Sequence, residues 1–249
     1  MRVVGVIDLK GGLAVHARGG ERHRYAPVRS LVLADGAVGD AVALARGYRH
    51  HLALDGVYVA DLDAITGAPP QRSLVRQIAD VGPTLWLDAG IGSVDRAAAA
   101  VEDGASVVVI GLETLSSFED LAEVARAVGP PRVAFSLDLR NGVPVTREGA
   151  PHAHSSAVTH AVRAAEAGVG TIIVLDLARV GGRGIDVTPV KNVRRAVPGA
   201  ALYAGGGVRA PADLTRLADA GCEGALVATA LHDGAIGRVD VDRMRGLRP

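Results

Sequence analysis

The chain has 249 residues, with 27 basic and 27 acidic side chains that cancel to a formal charge of zero. That balance argues against nucleic acid or a membrane surface as an electrostatic partner, and an aromatic content of 3% leaves few faces on which bases could stack. A single cysteine, Cys222, excludes an intrachain disulfide and a cysteine-based zinc site.

No apolar run approaches the length of a membrane helix and the first residues enter a strand rather than a signal peptide, so a soluble cytoplasmic protein is expected. Hydrophobic residues make up 49% of the chain, and with so few aromatics the core must be Val, Ala, Leu and Ile. Such a core suits parallel strands buried on both faces. Eight short apolar runs recur in order, at 3–9, 56–60, 84–87, 106–110, 132–137, 170–175, 201–204 and 224–227. Alanine-rich segments of helical spacing lie between them, most clearly at 40–46, 94–103, 160–167 and 212–220. Helix, glycine and strand follow one another at Gly104, Gly168 and Gly221, as helix C-caps require. This alternation predicts an α/β fold, a single (β/α)8 barrel spanning 1–249. An open doubly wound sheet is disfavoured, because no early dinucleotide fingerprint is present.

The chain also repeats itself. Gly90 and Gly207 stand 117 positions apart, as do Gly104 and Gly221, and Gly111 and Ala228. Asp8 and Asp138 end the first and fifth runs, and Asp61 and Asp176 the second and sixth. Two half-barrels of four βα units each are expected.

In a barrel of this kind chemistry gathers where the strands end. The seventh run ends in Gly205, Gly206 and Gly207, and the eighth in Ala228 and Thr229. Small residues let backbone approach a ligand, and two such turns side by side predict a phosphate cradle. Asp8, Asp61, Asp88, Asp138 and Asp176 all follow apolar runs. A carboxylate desolvated among like charges has a raised pKa and serves as a general acid or base. Asp8 and Asp138, on opposite sides of the ring, are the candidate catalytic pair. Lys10, His16, Asp61, Asp88, Asp176 and Arg179 are candidate substrate-binding residues. The Gly-punctuated segment 10–27 is expected to form a mobile lid, with His16, Arg18, Arg22, His23 and Arg24 offering positive charge. The histidines lack the spacing of a metal site, and no metal or cofactor is expected.

These motifs resemble the HisA/HisF-type barrels of histidine biosynthesis along nearly the whole chain. That family comprises phosphoribosylformimino-aminoimidazole-carboxamide ribotide isomerase and the cyclase subunit of imidazole glycerol phosphate synthase. The resemblance rests on Ile7-Asp8-Leu9, the glycine-rich loop with Tyr25, Val59-Ala60-Asp61-Leu62, Ser136-Leu137-Asp138-Leu139-Arg140 and Gly205-Gly206-Gly207-Val208. It implies a ribulose-phosphate-binding barrel in which Asp8 and Asp138 are the acid–base pair of an aminoaldose–aminoketose isomerisation. The sets Asp8-Leu9-Lys10-Gly11-Gly12, Asp61-Leu62-Asp63-Ala64-Ile65 and Asp176-Leu177-Ala178-Arg179-Val180 look like a divergent branch of methanogens and of bacteria with methanopterin-type one-carbon metabolism.

The chain departs from the family pattern in the early half. Family members hold a phosphate at each end of the substrate, with a glycine triplet after the third strand as after the seventh. Here the third run ends Asp88-Ala89-Gly90, and Glu113 stands after the fourth where small residues are usual. Unit charges about 4 Å apart repel by a few kcal/mol at an effective dielectric near 20, so a phosphate beside Asp88 is disfavoured. The sixth-strand loop differs too, with Leu175 in a hydroxyl position and Val180-Gly181-Gly182 in place of Asp-Gly-Thr. The expected function is an isomerase for a small metabolite with one phosphate, distinct from the histidine-pathway reaction. Two alternatives stay open: a lyase or condensing enzyme of one-carbon cofactor biosynthesis with a Schiff base on Lys10, and a non-catalytic barrel that binds or assembles.

Overall fold

The computed structural model describes every residue except 18, 20, 22, 23, 34–36, 182, 183 and 247–249. The eight apolar runs become eight strands: β1 (Arg2–Lys10), β2 (Gly56–Asp61), β3 (Thr84–Asp88), β4 (Val107–Gly111), β5 (Val133–Arg140), β6 (Thr171–Asp176), β7 (Ala201–Gly205) and β8 (Gly224–Val227). Each is parallel to the next, and β8 returns to β1 with Arg2 opposite Gly224 and Gly5 opposite Val227. The ring is a closed (β/α)8 barrel. Each β-strand is followed, before the next, by a helix: α1 (Ala41–His50), α2 (Arg72–Ala79), α3 (Val94–Glu102), α4 (Phe118–Val128), α5 (Ala157–Glu166), α6 (Thr188–Ala196), α7 (Pro211–Asp219) and α8 (Arg238–Gly246).

Local chemistry sets the helix ends. Asp40, Ser93, Ser117 and Ser156 cap α1, α3, α4 and α5 through side-chain bonds to first-turn N–H groups. Gly104, Gly168 and Gly221 end three helices at φ of +101°, +89° and +91°, where a Cβ would be strained. Among the described residues no helix is long and apolar enough to cross a membrane.

Strand alternation divides the apolar residues into two cores. Inward residues of every strand fill the barrel, among them Val4, Tyr58, Trp86, Val109, Ala134, Ile173, Tyr203 and Leu226. Outward residues such as Ile7, Val57, Leu85 and Leu137 pack under the helices with Leu44, Ile78, Leu121 and Leu214. Burial of such apolar surface, worth roughly 25 cal/mol per Å2, holds the layers together. Cys222 is buried, which pushes its thiol up to about 12.

The repeat is structural as well. β3 and α3 match β7 and α7 residue for residue 117 positions on, and Trp86 meets its counterpart Tyr203 inside the barrel with ring centroids 4.7 Å apart. The odd-numbered quarters also match, in a form not foreseen. Both β1 and β5 run beyond the rim and turn back on themselves. Lys10 pairs with Leu13 around Gly11-Gly12, and Arg140 with Val143 around Asn141-Gly142. All four turn residues have positive φ, as a two-residue hairpin turn requires. The segment expected to be a mobile lid is therefore built partly from strand: Leu13–His16 pairs with β1 and then with Ala26–Pro27.

Candidate active site

The C-terminal mouth of the barrel holds a cavity of about 170 Å3. Its walls differ in chemistry. On the late side stand Gly206, Gly207, Ala228 and Thr229; on the early side stand Tyr58, Asp88, Gly111, Glu113 and Thr114. Asp8, on β1, and Asp138, on β5, face the space between. Among the described residues, four carboxylates and one guanidinium, that of Arg140, line it.

Strand parity decides which of the candidate aspartates arrive there. Asp8 follows inward Val4 and Val6, Asp88 follows Trp86, and Asp138 follows Ala134 and Ser136. Asp61 follows Tyr58 and Ala60 by an odd step, and Asp176 follows Ile173 likewise, so both leave the barrel on the outer face. Asp61 is fully buried and its oxygens accept from the N–H groups of Ala64 (3.2 Å) and Gln71 (2.7 Å) and from Gln71 Nε2 (3.0 Å). Asp176 accepts from the N–H groups of Asn141 and Ala178, each at 3.1 Å. Arg179 Nε lies 3.3 Å from Asp176 Oδ2, near enough for charge attraction but out of line for a hydrogen bond. Arg179 also donates to the Gly184 carbonyl at 3.1 Å. Asp61, Asp176 and Arg179 thus tie loops together and do not line the cavity.

Lys10 is exposed at the hairpin turn and is absent from the described cavity wall. Arg24 bonds to exposed Glu21 at 2.9 Å. Arg18, Arg22, His23 and Gly182 lie outside the described residues. His16 sits on the returning strand, and its Nε2 is 2.9 Å from the Thr229 hydroxyl.

The late wall is built on glycine geometry. Gly206 and Gly207 have φ of +87° and +97°, and a Cβ on either would collide with the carbonyl of Asp176 or of Gly184. Gly205 lies just below, its Cα facing Leu175 and Leu226. A short helix, Thr229–His232, begins at the same rim.

The early wall repeats this plan with two changes, Asp88 for Gly205 and Ala89 for Gly206. Gly90, the match of Gly207, also has positive φ (+61°), and its N–H donates to Asp88 Oδ1 at 3.3 Å. The Tyr58 hydroxyl donates to Asp88 Oδ2 at 3.0 Å, and burial together with the Asp88 charge pushes the Tyr58 phenol well above its ordinary range. Asp138 is buried, accepts from Ser136 Oγ at 2.7 Å and has the Glu113 N–H at 3.5 Å. Burial first, then the charges of Asp88 and Glu113, raise its carboxyl to about 8; the Ser136 bond opposes them. Tyr58 and Gly111 were missed by motif reading. Tyr58 carried one signal, as the lone aromatic at an inward position of β2.

A family model described as "Histidine biosynthesis protein" matches residues 2–237. The chain belongs to that family. Among its relatives, a protein of Thermus thermophilus is 35% identical over 239 residues, covering 95% of this chain and 96% of its own. One of Deinococcus radiodurans is 34% identical over 242 residues, covering 94% and 95%. Both are named imidazole-4-carboxamide isomerases, with two 5-phosphoribosyl groups in the name of the substrate. A protein of Methanocaldococcus jannaschii, named only as uncharacterized, is 26% identical over 249 residues and covers 95% of each chain. The family and the isomerase names agree with the resemblance carried by the Asp8 and Asp138 motifs.

Proposed function

We propose that this member of the histidine biosynthesis protein family is an isomerase of aldose–ketose type, acting on a sugar-like substrate that carries one phosphate. The phosphate lies against Gly205, Gly206, Gly207, Ala228 and Thr229, within reach of His16. Asp8 and Asp138 exchange protons with the carbon skeleton between the walls. One protonates the ring oxygen as the sugar opens; the other takes the proton from the adjacent carbon, giving the ketose after reprotonation. Asp88 and Glu113 face the unphosphorylated end. The observation that carries the single-phosphate reading is the bond from the Gly90 N–H to Asp88 Oδ1. In the early half a carboxylate of the protein accepts from a backbone donor of the kind that an anion would need.

The names of the relatives favour a second reading, the histidine-pathway reaction itself on a bis-phosphorylated substrate. Complementation of a histidine auxotroph lacking the isomerase separates the two. The single-phosphate reading predicts no growth without histidine from soluble, expressed protein, and robust growth refutes it.

A further inference from the structure

Gly111 leaves a gap in the early wall, and two carboxylates converge on it. A Cβ placed there would stand 3.2 Å from Asp138 Oδ2 and 3.6 Å from Asp88 Oδ2. Both side chains are buried, at 5% and 8% exposure. Two buried carboxylates facing one gap disfavour each other's charge, and the charge of Asp88 is among the causes that raise Asp138. Their surroundings are unequal. Asp88 is anchored as an acceptor by the Tyr58 hydroxyl and the Gly90 N–H. Asp138 stands between Asp88 and Glu113, with Ser136 as its one short donor. Asp8 from β1 and Arg140, farther along β5, face the same cavity. The matching place in the late half, between Gly205 and Ala228, has no such pair.

We propose that Asp88 is a positioning residue for Asp138: ionised and held by Tyr58, it faces Asp138 across the Gly111 gap and keeps the pair's proton on Asp138. Asp138 then meets the substrate as the acid and Asp8 as the base, an assignment that rests on the proposed isomerase. The burial of Asp138 and the short Ser136 bond act on it whatever stands at position 88. The Asp88 charge is the part that this chain has added where the late half has glycine.

The test is a carbon-13 NMR titration of aspartate carboxyls in the full chain without substrate, with Asp138 assigned from its missing signal in Asp138→Asn. The wild-type midpoint is expected near pH 8, following the raised value of about 8. In Asp88→Asn the midpoint falls by at least one pH unit, a tenfold loss of proton affinity, and in Glu113→Gln by less. Should Asp88→Asn not fold, Tyr58→Phe carries the test, with a smaller fall expected. An Asp138 midpoint unmoved in folded Asp88→Asn, or unmoved in Tyr58→Phe where that variant stands in, overturns the proposal. Because no substrate is needed, this failure is distinct from a failure of the isomerase reading, which complementation tests.

Discussion

Asp88 and Gly205 close the third and seventh strands at matching positions, 117 residues apart, and differ by one carboxylate. Around Gly205 the seventh-strand loop leaves Gly206 and Gly207 facing the cavity. Around Asp88 the equivalent glycine, Gly90, gives its N–H to the aspartate itself. Asp88 in place of Gly205, together with Ala89 in place of Gly206, therefore separates the two walls.

Asp88→Gly should reverse that difference. It removes the charge, which at about 4 Å and a dielectric near 20 opposes a phosphate by about 4 kcal/mol. It also releases the Gly90 N–H. Calorimetry with inorganic phosphate should detect a second site in this variant, at least tenfold tighter than any early-half binding in the wild type. An unchanged isotherm would show that the carboxylate is not what closes the early cradle.

Asp8→Asn and Asp138→Asn each keep the side-chain shape and remove the titrating group. Each should lower kcat by about 100-fold to 10,000-fold, the usual contribution of one acid or base. Circular dichroism should show the barrel intact in both. Near-normal turnover in either would remove that residue from the proton-transfer pair.

Asp138 also leaves a signature in stability. Its folded pKa is raised from 3.8 to about 8, so the folded state holds a proton that the unfolded chain releases above pH 4. Its contribution is fully present below about pH 4 and is lost as pH rises through 8. Urea unfolding should show Asp138→Asn gaining on the wild type across that window, by a few kcal/mol at pH 8. A difference that does not change with pH would contradict the buried, protonated state.

His160 and His232 impose the opposite slope. Burial, aided by His152 and Arg163 at His160 and by His16 at His232, lowers both to about 4. Their contribution is present above the unfolded value near 6.5 and is lost as pH falls through 4. His160→Leu should flatten the acid limb of the stability curve between pH 6.5 and 4. An acid limb as steep as that of the wild type would place the proton uptake elsewhere.

The glycines of the late wall should be far less tolerant than those of the hairpins. Gly207→Ala combines positive φ with a collision against the Gly184 carbonyl, and roughly 2–5 kcal/mol of destabilisation is expected. Gly142 has φ of +79° but nothing within 4 Å of a Cβ, so Gly142→Ala should cost only about 1 kcal/mol. Equal losses in thermal unfolding would argue against a backbone-packed wall.

Much of this was legible in the residues. Every apolar run became a barrel strand, because short Val/Ile/Leu/Ala segments between alanine-rich helices have few other ways to be buried. The 117-residue offset showed the half-barrel repeat. Period-two alternation would also have sorted the aspartates: Asp8, Asp88 and Asp138 share the inward parity of their strands, whereas Asp61 and Asp176 do not. The motifs set Asp8 and Asp138 apart as the catalytic pair but left Asp61 and Asp176 beside Asp88 among the binding candidates. Gly11-Gly12 and Asn141-Gly142 carry two-residue hairpin-turn signals of their own. The Tyr58–Asp88 bond and the convergence on Gly111 were not legible, because they depend on strand register and not on any local pattern.

Phosphorus-31 NMR of the histidine-pathway aminoaldose titrated with the protein tests the asymmetry most directly, since that ligand reports its two phosphates separately. One phosphate resonance should shift and broaden on binding, lose that response in Gly207→Ala, and leave its partner at the free-ligand position. Both resonances moving together with wild-type protein, and both phosphates remaining bound in Gly207→Ala, would contradict an early half closed to phosphate.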